Sequence, residues 1–205
     1  IKIQYSLLLF LLLLGFTQCK SPAAKEDRLS DDALMDTVQR RTFNYFWEGA
    51  EPNSGLARER IHMDGVYPEN DQNVITSGGS GFGIMAILAG IDRGYVTRQE
   101  GLERMEKIVS FLETADRFHG TYPHWWYGDT GKVKPFGQKD NGGDLVETAF
   151  IMQALLSVHQ YYIDGSPAEQ ALAARINAFA VSEDLPAHGE CVLSRFFKDP
   201  YDKAT

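Results

Sequence analysis

Cysteine is almost missing from this chain. Cys19 and Cys191 are the only two in 205 residues, which excludes a disulfide framework and a cysteine-rich metal site. The glycine-rich signature that cradles nucleotide phosphates is absent, and so is the H-E-x-x-H pair that holds zinc in proteases. His62 and His119 stand at no ligand-like spacing from other donors, so no metal and no cofactor is expected. Positive charge is scarce: 20 Lys and Arg against 28 Asp and Glu leave a formal net charge of -8. Nucleic acid and anionic membrane surfaces, which are normally met by basic patches, are therefore excluded as main partners. What remains is an ordinary globular balance, 43% hydrophobic and 23% charged, with an aromatic share of 12%. That supports one domain with a core of its own, and it raises the question of where the rings go.

The strongest apolar run, Leu7 to Phe16 behind Lys2, is too short to span a bilayer and has the form of a signal peptide. Cys19 follows at once, so residues 1–19 resemble a lipoprotein signal in which that cysteine becomes the lipidated first residue. Gln18 stands where a small residue is usual, which leaves a plain secretory signal with an incidental cysteine open. On either reading the chain is exported, to the periplasm or as a lipoprotein of the outer membrane, and it meets a membrane only through that signal or lipid. Residues 20–30 read as a polar linker. The chain opens on Ile1 rather than Met, so its start is expected upstream.

Hydrophobic periodicity predicts five helices, at about Asp31–Trp47, Ser80–Asp92, Arg98–Arg117, Leu145–Ile163 and Pro167–Ala180. Ser30 and Thr97 are candidate caps for the first and third. The third carries a stripe of Leu102, Met105, Val109 and Leu112 with Glu103, Arg104, Lys107 and Glu113 outside it. The second and fourth are apolar on nearly all faces, so they are expected to be buried between layers. The order outer, inner, outer, inner, outer predicts an all-α fold of two concentric helical layers. Connections from inner to outer helices are short, whereas those into the inner helices, about Glu48–Gly79 and Phe118–Gly143, are long. Loops of that length are usually functional, and both are expected at one mouth, above the N-termini of the inner helices.

Three carboxylates, Asp140, Asp144 and Glu147, lie in the stretch KDNGGDLVET at the end of the second long loop. Asp144-x-x-Glu147 has the form of a capping box, in which the Asp accepts from the third helical N–H and the Glu reaches back to the cap. That accounts for two acids and leaves Asp140 unexplained. Splitting a glycosidic bond needs one acid to protonate the leaving oxygen and one carboxylate to activate water or attack. The same loop carries Tyr122-Pro-His-Trp-Trp-Tyr127. Trp125 and Trp126, with His124, are candidate sugar platforms; the alternative is a small cluster that pins the loop. On the first loop Arg58 and Glu59 are candidate substrate clamps, although a loop-fixing salt bridge with Arg60 accounts for them better. Gly78-Gly79-Ser80-Gly81 fits close packing of loop on helix rather than a dinucleotide site.

Val74-Ile-Thr-Ser-Gly-Gly-Ser-Gly-Phe-Gly-Ile-Met-Ala-Ile, Tyr122-Pro-His-Trp-Trp and Gln138-Lys-Asp-Asn-Gly-Gly-Asp-Leu-Val-Glu-Thr together resemble the glucoamylase-like bacterial family that includes the endo-β-1,2-glucanases of glycoside hydrolase family 144. The likeness covers about Leu34 to Ala178. It implies an (α/α)6 toroid, export, and hydrolysis of an oligo- or polysaccharide, a β-glucan with β-1,2 linkage expected. In such glucanases an Asp-x3-Asp-x2-Glu group lies in the substrate cleft and is needed for activity; Asp140, Asp144 and Glu147 match it. Residues 31–180 would then supply about five of twelve toroid helices. Where the family continues into segments rich in Trp and acids, residues 181–205 diverge, so truncation or a frame shift after about residue 178 is expected. A glycan-binding lipoprotein without catalysis and an inactive fragment of the hydrolase stay open.

Overall fold

The computed structural model describes residues 28–138 and 141–181. They form α1 (Asp31–Trp47), β1 (Val74–Thr76), α2 (Ser77–Asp92), α3 (Arg98–Thr114), β2 (Trp125–Tyr127), β3 (Val133–Lys134), α4 (Leu145–Tyr162) and α5 (Pro167–Val181). The chain divides into two compact units after Asp36. In the first, Ser30 caps α1 as expected, its Oγ accepting from the Ala33 N–H at 3.2 Å. Everything that follows concerns the second unit.

The helices fall where periodicity puts them, with two instructive shifts. α2 begins at Ser77, three residues before the expected start, because Ser77, Gly78 and Gly79 are helical rather than loop. Small residues there let the two inner helices meet backbone to backbone. A Cβ at Gly81 would lie 2.5 Å from the carbonyl carbon of Phe150 on α4. α3 stops at Thr114 rather than Arg117. Ala115 turns extended (φ -65, ψ 151) and buried, and the Asp116 N–H donates to the Gly131 carbonyl at 2.8 Å, which ties the chain to the loop instead.

α2 packs along α4, with α3 against α2 and α5 against α4. This is the alternation expected of layered helices. α3 buries Leu102, Met105, Ile108, Val109 and Leu112 against the inner pair. Arg104, expected outside the stripe, is instead half-buried: its guanidinium lies 4.2 Å from the Trp47 ring centroid and donates to the Trp47 carbonyl at 3.1 Å. On the open side of the inner helices Phe82 and Phe150 meet ring to ring at 4.9 Å and remain exposed.

The sequence showed no strand, yet the two long loops pair with each other. β1 from the first loop and the β2–β3 hairpin from the second form an antiparallel sheet in the order β1-β2-β3. Its register sets Thr76 opposite Trp125 and Ile75 opposite Trp126, then Trp125 opposite Lys134 and Trp126 opposite Val133. Alternation along a strand sends one of each pair of neighbours to the core. Ile75 and Trp126 go inward and are fully buried, so Thr76, Trp125 and Lys134 make one row across the outer face.

Candidate active site

The starts of α2 and α4 meet beneath this sheet. Ser77, the first residue of α2, donates its N–H to the His124 carbonyl at 3.1 Å and its hydroxyl to the carbonyls of Pro123 and His124. Thr148 on the first turn of α4 accepts from the Tyr122 N–H at 2.9 Å. Both inner helices are therefore stitched to the segment that precedes β2.

Asp144 caps α4. Its backbone is extended (φ -108, ψ 111) and its Oδ1 accepts from the N–H groups of Val146 and Glu147, both at 3.0 Å. Its Oδ2 pairs with His124 Nδ1 at 2.9 Å. Burial resists ionisation of this carboxyl, but the Glu147 N–H and the imidazole outweigh it and hold the group below its ordinary value. With an ionised carboxylate as acceptor, His124 carries its proton on Nδ1, which leaves Nε2 as an acceptor in the neutral ring.

Glu147 corrects the capping-box expectation. A capping box would return its side chain to the Asp144 N–H, but that N–H donates to the Tyr122 carbonyl at 2.7 Å. Glu147 Oε2 crosses instead to α2, accepting from the Gly78 N–H at 2.5 Å and from the Thr76 hydroxyl at 3.2 Å. The positive end of α2 favours a carboxylate there. Glycine at 78 makes the seat possible, since a Cβ would stand 2.5 Å from Glu147 Oε2. Thr76, the N-cap residue of α2, makes no side-chain cap bond to its own helix; its hydroxyl serves Glu147. Among the described residues no donor reaches Glu147 Oε1. Asp140, the third candidate acid, lies outside the described residues, as does Cys19.

The two neighbouring tryptophans separate. Trp126 has no exposed surface, packs edge to face with Tyr122 (5.1 Å) and Phe111 (6.0 Å), and donates its indole N–H to the Asp116 carbonyl at 3.0 Å. It is a core residue with no face to offer a sugar, and its assignment as a platform is corrected. Period-2 alternation turns it away from its neighbour. Trp125 remains half-buried on the outer row, 5.4 Å from the His124 ring. Opposed residues of an antiparallel pair have Cβ atoms about 5 Å apart. That puts the Trp125 side chain one strand from Thr76, whose hydroxyl serves Glu147.

On the first loop the salt-bridge alternative is what the structure contains. Glu59 pairs with Arg60, and Arg58 donates from Nε to the Gly49 carbonyl at 3.1 Å while its own carbonyl accepts from the Tyr45 hydroxyl at 2.9 Å. Both side chains thus already have partners within the loop, and they remain candidates for substrate contact. Sequence reasoning also missed Glu51. This buried carboxylate organises the loop by accepting from the N–H and side chain of both Asn53 and Ser54, and no pattern marks it in the sequence. Among the described residues no group of three His, Cys, Asp or Glu side chains gathers as a metal site would need.

No family model matches the chain. A Bacteroides caccae protein provisionally assigned as a glucoamylase is 83% identical, with a TM-score of 0.72 over 73% of this chain and 36% of that one. The endo-β-1,2-glucanase of Chitinophaga pinensis, solved with sophorotriose and glucose, is 67% identical, with a TM-score of 0.73 over 74% of this chain and 36% of its own. The exo β-1,2-glucooligosaccharide sophorohydrolase of Parabacteroides distasonis is 52% identical over 150 residues, which is 73% of this chain and 20% of that protein. The chain thus spans about a third of these solved structures and a fifth of the curated relative. A separate match of 36 residues, 18% of this chain, is 94% identical to 8% of the histidinol dehydrogenase of Bifidobacterium longum. Over about three quarters of its length the chain is a close homologue of these β-1,2-glucanases and glucoamylase-like proteins, and it carries part of their (α/α)6 toroid.

Proposed function

We propose that this chain supplies the carboxylate wall of a cleft that binds and hydrolyses β-glucan, with β-1,2-linked glucose as the substrate and a leader that exports it. The observation that carries this reading is Glu147. Its Oε2 is anchored by the Gly78 N–H of the partner helix and by the hydroxyl of Thr76 just before it, while among the described residues no donor reaches Oε1, and half-buried Trp125 stands one strand away. A carboxylate held at a fixed angle beside a flat apolar ring is what a glycosidase needs, because the ring places the sugar and the acid meets the bond. Asp144 is held ionised by its cap bonds and by His124, which suits it to orient a hydroxyl or to stabilise developing positive charge rather than to give a proton. The proton then comes from Asp140, from Glu147, or from the part of the toroid beyond this chain.

Relatives that act on β-1,2-glucan and its oligosaccharides support the choice of linkage. The test is calorimetric titration with β-1,2-, β-1,3- and β-1,4-linked glucooligosaccharides, together with reducing-end release from β-1,2-glucan. Selective binding of the β-1,2 series is expected, with cleavage once the toroid is complete. Equal affinity for all three series would remove the linkage assignment. Selective binding with no cleavage even in a completed toroid would favour the non-catalytic reading.

A further inference from the structure

The outer row of the sheet does not end at Trp125. Lys134 stands directly opposite it on β3, with its ammonium 4.6 Å from the Trp125 ring centroid. Two residues further, Phe136 returns over the same face. Its ring lies 4.7 Å from that of Trp125 at 49° and 4.4 Å from that of His124 at 56°. Phe136 is still 51% exposed, so its ring is propped from below and open above. An exposed phenylalanine by itself needs no explanation. This one is braced by the imidazole that holds Asp144 and by the indole one strand from the Thr76–Glu147 bond.

We infer that Phe136 and Lys134 form, with Trp125, a subsite for a glucosyl unit one or more rings further from the carboxylates. This inference rests on the β-glucan reading above. The angles decide the shape. Rings tilted by about 50° make a trough and not a flat stack, and a β-1,2-linked chain bends at each linkage, so consecutive sugars present their faces at an angle. Trp125 would take the sugar nearest Glu147 and Phe136 the next, through contacts of the apolar sugar face with the ring. Lys134, between them across the row, would donate to a ring hydroxyl. The subsite would therefore recognise chain length, because a disaccharide bound across the carboxylates, with one sugar on either side of the bond to be cut, places only one sugar on this row, at Trp125, and does not reach Phe136.

The test is calorimetric titration of the full chain with β-1,2-linked di-, tri- and tetrasaccharides, comparing the native protein with Phe136→Ala, Phe136→Tyr and Lys134→Met, each with a thermal melt. Phe136→Ala should lose about tenfold in affinity for the tri- and tetrasaccharide and nothing for the disaccharide, with an unchanged melt. Phe136→Tyr should restore the longer ligands, and Lys134→Met should weaken the same ligands by a few-fold. Native-like binding of every length by Phe136→Ala overturns the subsite while the β-glucan reading stands. An early melt, or an equal loss for the disaccharide, makes the ring a prop for Trp125 and His124 and overturns it too. No binding of any β-1,2 ligand by the native chain removes the β-glucan reading and the subsite with it.

Discussion

At the start of α3, Thr97 and Glu100 serve only their own helix: Thr97 Oγ1 accepts from the Glu100 N–H at 3.2 Å and Glu100 Oε2 from the Thr97 N–H at 2.7 Å. At the start of α4, Asp144 and Glu147 have the same spacing, and only the first half of that arrangement forms. The α3 start is exposed, so its acid has nothing better to meet than its own cap. Glu147 faces the bare N-terminus of a second helix, seated there by Gly78. The Asp144 N–H it leaves behind is taken by the Tyr122 carbonyl. A capping-box pattern therefore records an acid at a helix start and leaves open which helix that acid will serve.

Amide substitution should separate the two starts most sharply. In a toroid completed from a relative, Glu147→Gln should cut β-glucan cleavage about 100-fold or more. Its melting temperature should barely change, because an amide oxygen can still accept from Gly78. Glu100→Gln should leave cleavage untouched. Equal cleavage by both variants would make Glu147 only a structural bridge.

Gly78→Ala comes next. The added methyl would displace the Glu147 carboxylate and overpack the helix junction, at about 1–3 kcal/mol. Chemical denaturation would read the loss, and glycan binding should fall with it. A native-like variant on both counts would show that the seat is not needed.

The caps themselves should differ less. Thr97→Ala should cost about 1 kcal/mol, and Asp144→Ala up to about 2 kcal/mol, since it also releases His124. Only the second should weaken glycan binding. Equal effects on binding would remove the functional distinction between the two helix starts.

The smallest effect concerns pH. The Asp144 carboxyl is depressed in the folded state, so its contribution to stability is present above the unfolded value of about 4 and is lost as pH falls through the folded one. Asp144→Asn keeps a good cap and abolishes this titration. Urea midpoints of the two proteins should differ near neutrality and converge in acid. A constant gap from pH 6 to 2 would contradict the role given to His124.

The helices were legible because apolar spacing reports burial directly: α1, α3 and α4 start where periodicity and caps placed them. The start of α2 was not, since Gly78 and Gly79 read as loop while their lack of side chain serves packing and the Glu147 seat. The sheet was invisible because three- and two-residue strands carry too little alternation to register, and pairing between remote loops leaves no local mark. That same pairing decides the site. Trp125 and Trp126 are chemically identical in the sequence, and only the register of β2 on β1 sends one to the surface and the other to the core. Asp144 was readable as a cap, but its bond to His124 was not.

The Glu147 bridge also sets an order of events. The Thr97–Glu100 box closes over 3 positions and the His124–Asp144 pair over 20, whereas the Gly78–Glu147 bond closes over 69. Loop-closure entropy makes that last contact more demanding than the first by about 3 kcal/mol. Local helix caps can form while the chain is still searching; the carboxylate seat can form only once both long loops and both inner helices have met. The carboxylate seat is therefore expected among the last parts to assemble and among the first to open, and protection of the Gly78 amide from exchange would report directly on whether it has formed.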